Sequence, residues 1–180
     1  MYSFITDAYL LAPQAPYPAC THCYIHRGFK HSHDNTIEEI SIALAALTTQ
    51  YPGYQLIVTG HSLGGALATL AGLTLLNAGY SPIVYSFGSP RVGNAPFAAY
   101  ASKMLVYNYR VTHYRDLIPH IPPRSLHYLH TGQEVYEDKD HILAVCAQVE
   151  DPSCADRWTL IQTSLADHFL YLNRVMDCPV

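Results

Sequence analysis

The sequence is poor in charge. Of its 180 residues only 13% are Asp, Glu, Lys or Arg, about half of the usual share of roughly 25%. The formal net charge is −4, so there is no basic field to attract a phosphate backbone, and we expect no nucleic-acid partner. No charged residue occurs between Ile40 and Pro90, which predicts a central slab of buried strands and helix.

Long apolar runs are also missing. The longest, Leu63 to Leu76, has 14 residues and contains three glycines and two threonines, whereas a membrane-spanning helix needs about 20 apolar residues. We therefore expect a buried core helix and no stable membrane insertion. Residues Met1 to Leu11 lack the basic start and long apolar stretch of a signal peptide. No Asn-x-Ser/Thr site occurs either, so secretion must be argued from the cysteines.

The chain has five cysteines, of which Cys20 and Cys23 form a C-x-x-C motif. This motif is compatible with a redox pair, half of a zinc site or a short disulfide loop. Three prolines just upstream indicate a loop, whereas redox chemistry needs a strand-to-helix junction. A zinc site needs a second close pair, and Cys146 and Cys154 are widely spaced. A structural disulfide is therefore favoured, and the odd count leaves one thiol without a partner.

Hydrophobic periodicity predicts an α/β chain without long linkers or repeats. An amphipathic helix is predicted over Asp34 to Gln50, with Thr36 and Glu39 as a capping box. The later elements are a buried strand at 55–59, a helix at 65–77, a strand at 83–87, a helix at 94–104 and a strand at 107–112. Strand-helix-strand order implies parallel pairing, and so an open, largely parallel sheet. Chemistry in such sheets gathers at the carboxyl ends of the strands.

A nucleophile elbow is predicted at Gly60-His61-Ser62-Leu63-Gly64, between the first of these strands and the helix that follows. A serine hydroxyl becomes a useful nucleophile when a tight turn exposes it away from the backbone. Such a turn leaves no room for side chains at the flanking positions Gly60 and Gly64. Ser62 is the candidate nucleophile. The bare motif is also compatible with a Gly-rich turn that only lets a helix pack closely on a sheet.

A nucleophilic serine needs a base and a group that orients the base. Asp116 lies four residues after a predicted strand, although a solvated turn aspartate would have the same spacing. Sequence order does not choose the base among the five histidines downstream, which are His120, His127, His130, His141 and His168.

Metal chemistry has little support in the sequence. The stretch from His31 to Asp34 reads His-Ser-His-Asp, but no complementary ligand pair lies nearby, so a solvated helix start is favoured. We expect no metal and no cofactor. A metal-dependent hydrolase built on this stretch would be sensitive to chelators, and we expect no such sensitivity.

Four sequence blocks, in order, resemble the fungal-type class 3 lipase family. They are Val58 to Ala68, Tyr85 to Asn94, His113 to Pro119, and Asp167-His168 with Tyr171. The resemblance runs from about Cys20 to Cys178. It implies an α/β-hydrolase fold with helices on both faces of the sheet, and a triad in the order Ser62, Asp116, His168.

The resemblance also assigns roles to these residues. Ser62 attacks an ester carbonyl, His168 transfers the proton to the leaving alcohol, and Asp116 orients the imidazole. An acyl-enzyme forms, which water then cleaves. The amide of Leu63, directly after the nucleophile, is the expected first donor of the oxyanion hole.

The family resemblance further implies disulfides. The C-x-x-C of the family is similar to Cys20 with Cys23, and its late pair resembles Cys146 with Cys154. Cys178 resembles a family cysteine that pairs near the mature N-terminus, and no cysteine precedes Cys20 in this chain. These cysteines lead us to expect a secreted protein.

One family motif is missing. The second oxyanion donor comes from an Arg-Gly-Ser or Arg-Gly-Thr motif, and the segment from Tyr2 to Asp7 resembles the lid that follows it. We therefore expect a single incomplete domain over residues 1–180 that lacks the first sheet strands. Losing one oxyanion donor lowers turnover by about 10² to 10³, so the chain as given is expected to be poorly active. Missing strands would also leave an open sheet edge.

The expected function is a triacylglycerol lipase that acts as a monomer on lipid or ester substrates at an oil-water interface. Phe4, Ile5, Leu10 and Leu11 would give the lid an apolar face. The alternatives are a feruloyl-type esterase with a more polar lid, and a non-catalytic remnant of the same fold.

Overall fold

The computed structural model of the chain describes residues 13–176. Four α-helices lie in this part of the chain: α1 (Arg27–Asp34), α2 (Ile37–Gln50), α3 (Leu63–Asn77) and α4 (Ala95–Met104). None of the described helices has the length and apolar character needed to cross a membrane.

Strands form three sheets in the same part of the chain. The strands, in order, are β1 (Gln14–Pro16), β2 (Tyr24–His26), β3 (Ile57–His61), β4 (Ile83–Phe87), β5 (Gly93–Asn94), β6 (Asn108–His113), β7 (Tyr128–Leu129), β8 (Gln133–Glu137), β9 (Leu143–Val145), β10 (Leu170–Tyr171) and β11 (Arg174–Val175). A small antiparallel sheet has the order β1-β2-β5-β7, and β10 pairs with β11.

The main sheet has the order β3-β4-β6-β8-β9. Its first four strands are parallel, and β9 pairs antiparallel with β8. The expected α/β class and largely parallel sheet are therefore confirmed. The register places His113, the last residue of β6, opposite Glu137, the last residue of β8. Polar side chains that follow the ends of β3, β4, β6 and β8 thus meet at one edge of the sheet.

Strand β8 was not predicted, because its sequence, Gln-Glu-Val-Tyr-Glu, does not have the apolar character of a buried strand. Glu134 is nevertheless 1% exposed. Its carboxylate accepts hydrogen bonds from Arg110 (3.1 Å) and Thr112 (2.7 Å) of the neighbouring strand. A buried charge is tolerated when it is paired and hydrogen-bonded, and these partners are known only once the strands are placed side by side.

The predicted helix over 34–50 was too long at its start. Residues 27–34 form the separate helix α1, and α2 begins at Ile37. Thr36 precedes α2, but its hydroxyl donates to the carbonyl oxygens of Ser32 (3.1 Å) and His33 (3.2 Å). The predicted capping box is therefore wrong. A threonine hydroxyl can bond to the preceding turn instead of capping the next helix.

The expected buried slab is only partly present. Helix α3 buries nine residues against the rest of the structure, whereas α2 buries none. Strand β3, expected to be buried, lies at the end of the described sheet, with Ile57 56% exposed. Lack of charge permits burial, but burial also requires a neighbouring element. Among the described residues β3 has a neighbouring strand on one edge only, and α2 is partly covered on one face only, at Ile37 and Leu44.

Both expected disulfides are present. Cys20 is bonded to Cys23 in the loop between β1 and β2, and Cys146, just after β9, is bonded to Cys154. Cys178 and the lid-like segment from Tyr2 to Asp7 lie outside the described residues.

The turn between β3 and α3 depends on glycine at two positions. A Cβ atom at Gly60 would lie 2.1 Å from the carbonyl oxygen of Gly64, and one at Gly65 would lie 2.9 Å from the Cβ of Ser89. A Cβ at Gly64 would meet no atom within 4 Å. The expectation of crowding is therefore correct for Gly60 and wrong for Gly64, because the helix turns position 65, rather than 64, towards the residues at and after the end of β4.

Alanine substitutions should separate these three positions. Overpacking lowers stability by about 1–3 kcal/mol, so Gly60→Ala and Gly65→Ala should lower the free energy of unfolding by at least that much. Gly64→Ala lies in the first turn of a helix and should leave stability unchanged or raise it by up to about 1 kcal/mol. Urea unfolding followed by circular dichroism measures the three values. Equal losses at all three positions would contradict the close approach.

A buried ion pair fixes the chain that follows Asp116. Arg91 donates to both carboxylate oxygens of Glu150, at 2.9 and 2.8 Å. It also donates to the carbonyl oxygens of His120 (2.6 Å) and Pro122 (3.2 Å). Burial alone would raise the pKa of Glu150, but the Arg91 guanidinium and the backbone N–H of His130, which donates to Oε1 at 3.0 Å, outweigh it and hold the pKa well below its ordinary value. The carboxylate therefore stays charged and bonded to Arg91.

The Arg91 pair should make stability depend on acid pH. Because the pKa of Glu150 is lower in the folded state, its contribution is complete above the unfolded pKa of about 4.3 and is lost as the pH falls below it. Glu150→Gln leaves a buried guanidinium unpaired, so it should lower the free energy of unfolding at pH 7 by about 3–5 kcal/mol. It should also flatten the loss of stability between about pH 5 and 3. Urea unfolding across this pH range measures both effects.

Asp140→Asn is the matched control for Glu150→Gln, because Asp140 pairs with Lys139 on the surface. This variant should unfold at the same urea concentration as the parent at every pH. A Glu150→Gln protein with the parent's pH profile would contradict the role given to the buried pair.

Candidate active site

Ser62 occupies the turn between β3 and α3 with a strained backbone. Its φ is 58° and its ψ is −127°, a conformation that L-residues rarely adopt and that is found at functional sites. Two hydrogen bonds hold it: the Ser62 N–H donates to the carbonyl of Phe87 (2.9 Å), and the Gly65 N–H donates to the carbonyl of Ser62 (2.9 Å). This backbone has the strand-turn-helix form of a nucleophile elbow.

Asp116 is a buried hydrogen-bond acceptor, so the alternative of a solvated turn aspartate is wrong. The residue is 2% exposed. Its Oδ1 accepts the N–H of Ile118 at 2.8 Å. Its Oδ2 lies 2.9 Å from Nδ1 of His168 and accepts the hydroxyl of Tyr171. Burial and the nearby carboxylate raise the pKa of Tyr171 well above its ordinary value, so the phenol keeps its proton and remains a donor.

His168 lies in a short 3₁₀ turn, Ala166–Phe169, and is 1% exposed. Because Asp116 accepts from Nδ1, the neutral ring has its proton on Nδ1 and an unprotonated Nε2. The four other downstream histidines have different surroundings: His127 is exposed, His120 is buried beside Arg91, His130 contacts the carbonyl of Pro119, and His141 contacts Glu137. Among the five, only the ring of His168 bonds Asp116 within the described part of the chain.

Two further histidines hold the backbone around His168. The Nε2 of His61 lies 2.8 Å from the carbonyl oxygen of His168, and the two rings stack with centroids 4.4 Å apart. The Nδ1 of His113 lies 3.0 Å from the carbonyl oxygen of Asp167. Burial and the neighbouring His168 lower the pKa of His61, so it is neutral near pH 7. A neutral ring can still donate one N–H to the carbonyl.

Sequence reasoning gave no role to His61 or His113. A signal was present, since His61 is the last residue of β3 and His113 is the last residue of β6. Both therefore lie at the carboxyl edge of the sheet, where chemistry is expected. The predicted strands ended one or two residues earlier and left both outside.

Gly88 lies between the Ser62 turn and the pair formed by Asp116 and His168. It follows Phe87, whose carbonyl holds the Ser62 amide. A Cβ atom at Gly88 would lie 2.9 Å from Oδ2 of Asp116 and 3.0 Å from Cε1 of His168. In residues 13–176 no direct hydrogen bond connects the Ser62 hydroxyl with His168. Such bonds are often long in the absence of substrate and tighten when it binds.

The Leu63 amide is available for a developing negative charge. Leu63 is the first residue of α3, and the first N–H groups of a helix have no partner within the helix. No acceptor among the described residues takes the Leu63 N–H. The positive end of the helix dipole adds to this amide. Within the described part of the chain, the Leu63 N–H is thus a free donor directly after Ser62.

The His31 to Asp34 stretch does not gather ligand atoms in the described structure. The His31 ring contacts the side chain of Asn35, and the His33 ring contacts Asp34 and Thr74. Within residues 13–176, three potential metal ligands come together at another place, formed by His113, Glu137 and His141.

Comparisons with known proteins agree with this architecture. The family model for lipase (class 3) matches residues 3–126. The secreted mono- and diacylglycerol lipase 1 of Fusarium solani is 34% identical over 164 residues, which cover 87% of this chain and 49% of the relative. The chain therefore spans about half of the length of this curated relative.

Solved structures show the same fold. The triacylglyceride lipase of Rhizomucor miehei superposes with a TM-score of 0.89 at 31% identity, covering 97% of this chain and 68% of that one. Another triacylglycerol lipase, whose catalytic centre is described as a serine protease triad, has a TM-score of 0.87 at 32% identity, covering 96% of this chain and 67% of that one. By the family model and by these relatives, the chain belongs to the fungal-type class 3 lipase family.

Proposed function

We propose that this protein is a serine esterase, a triacylglycerol lipase, in which Ser62 is the nucleophile, His168 the base and Asp116 the residue that orients the base. The observation that carries the proposal is the buried pair of Asp116 and His168, with Nδ1 and Oδ2 2.9 Å apart. This pair lies beside a strained serine turn.

The proposed reaction has two stages. The Ser62 hydroxyl attacks the ester carbonyl while Nε2 of His168 takes its proton, and the same nitrogen then protonates the leaving alcohol. Water then attacks the resulting acyl-enzyme while Nε2 of His168 takes its proton, and the same nitrogen returns the proton to the Ser62 oxygen as the acid leaves. Asp116 stabilises the imidazolium that forms in each stage, and the Leu63 N–H donates to the oxyanion.

The substrate class is proposed from the relatives. Those described above are named as lipases of mono-, di- or triacylglycerols, which supports acylglycerols at an oil-water interface as the substrate class. The Fusarium solani relative is named as secreted, and two disulfides are typical of an oxidising compartment. We therefore infer secretion, and we propose that the protein acts as a monomer.

Three substitutions test the triad. Ser62→Ala and His168→Ala should abolish ester hydrolysis, and Asp116→Asn should lower kcat by about 10⁴ because the imidazole takes the wrong tautomer. The measurement is p-nitrophenyl butyrate hydrolysis, together with covalent labelling of Ser62 by a fluorophosphonate read by mass spectrometry.

His127→Ala is the matched control, because His127 is an exposed downstream histidine and its loss should leave hydrolysis unchanged. If His168→Ala hydrolyses the ester as fast as the parent, another downstream histidine is the base. A folded parent protein that forms no fluorophosphonate adduct would favour the non-catalytic remnant.

A substrate panel distinguishes the two esterase alternatives. We expect turnover of tributyrin and olive oil emulsions, with a rise in rate above the concentration at which tributyrin forms droplets, and little turnover of methyl ferulate. Initial rates measured by titration of the released acid compare the three esters. Hydrolysis of methyl ferulate alone would replace the lipase proposal with a feruloyl-type esterase.

A further inference from the structure

We propose that His113, Glu137 and His141 form a zinc site that is separate from the hydrolytic chemistry. One ligand atom from each residue lies within 4.8 Å of the other two. Two imidazoles and one carboxylate are the ligands of many protein zinc sites, in which a water molecule takes the fourth position.

The sheet register brings two of the ligands together. His113 ends β6 and Glu137 ends β8, and the two are paired positions of neighbouring parallel strands. Paired positions project to the same face of a sheet. His113 is 3% exposed and Glu137 is fully buried, so both ligands are held rigidly.

The third ligand comes from the turn between β8 and β9. His141 has a φ of 63°, which is uncommon for a residue other than glycine. The Asp138 carboxylate holds this turn, accepting the N–H groups of Asp140 and Ile142 at 2.9 Å each. The turn places Nδ1 of His141 2.6 Å from Oε1 of Glu137. The His141 side chain is 31% exposed, which gives an ion a path from solvent.

The ligands are oriented by hydrogen bonds at their other polar atoms. Nδ1 of His113 is engaged with the carbonyl of Asp167, which leaves Nε2 for a metal. Oε2 of Glu137 accepts the N–H of Leu172 at 2.9 Å, which leaves Oε1. Such outer partners fix the tautomer and direction of metal ligands. This arrangement is an additional reason to favour a metal site over a simple ion pair of Glu137 and His141.

Zinc binding needs only small shifts of the ligand atoms, which lie 2.6 Å apart for His141 and Glu137 and within 4.8 Å of one another for the whole set. Zinc-ligand distances of about 2.1 Å place tetrahedral ligand atoms roughly 3.4 Å apart. The zinc ion takes the place of the proton between Glu137 and His141, so this 2.6 Å pair opens by about 0.8 Å. Rotation of the side-chain torsions brings the His113 ring into range.

Zinc bound at this site would stabilise the segment that carries His168. The two outer partners, Asp167 and Leu172, lie one residue before and four residues after His168. A bound ion fixes His113 and Glu137, and through them both ends of this segment. We therefore expect zinc to stabilise the fold around His168 without taking part in ester cleavage.

Zinc titration tests the proposal on the whole protein. Calorimetry with zinc chloride on protein freed of metal by a chelator should show one saturable site, and zinc should raise the thermal midpoint, because an ion that binds only the folded state stabilises it. His141→Asn and Glu137→Gln should each weaken zinc affinity by at least about 10- to 100-fold.

His127→Asn is the matched control, since His127 is an exposed histidine with a φ of 64° and asparagine tolerates this conformation at both positions. Its zinc affinity should equal that of the parent. The partly exposed His141 keeps the test valid if Glu137→Gln fails to fold. No saturable binding by the parent, or equal affinity in His141→Asn and His127→Asn, would overturn the proposal. Zinc binding is measured without an ester, so its failure leaves the proposed lipase function untouched.

Discussion

The carboxylate of Asp116 is the point at which distant parts of the chain are tied together. Its oxygens accept hydrogen bonds from the next residues of its own loop, at Ile118, and from His168 and Tyr171, more than 50 residues later. A buried carboxylate that loses its partners is strongly destabilising, so the late segment must dock where it does. The same docking that satisfies the charge also orients the imidazole.

The parallel sheet supplies the other half of this arrangement. His61 is the last residue of β3 and His113 is the last residue of β6. Their side chains contact the backbone carbonyls of His168 and Asp167. Glu137, at the end of the next strand, holds the amide of Leu172. The backbone of the segment that carries the proposed base is therefore hydrogen-bonded by the last residues of three strands. Each contact is made by a side chain that sequence reasoning did not single out.

Local patterns predicted a large part of the fold. The helix after Ser62, the strand at 83–87 and the parallel pairing of β3 with β4 follow from hydrophobic period and glycine placement. The structure agrees with the predicted elements within two residues at most bounds. Strand β8 and the break before Ile37 escaped prediction. The carboxylate of Glu134 is hydrogen-bonded by residues of β6, and that of Glu137 by His141 of a later turn. The hydroxyl of Thr36 bonds to the preceding turn instead of capping α2.

The sequence by itself determined the elbow, the order of its proposed triad and the family, because these depend on short motifs whose backbone requirements are local. From the sequence, His168 was preferred to the other histidines only through the family resemblance, and the tertiary structure shows its direct contact with Asp116. The tertiary structure alone decided that Gly65 rather than Gly64 is the crowded glycine. It also decided that His113, Glu137 and His141 share one place. Contacts of this kind depend on strand register and on the direction of each side chain, and neither is encoded within a few neighbouring residues.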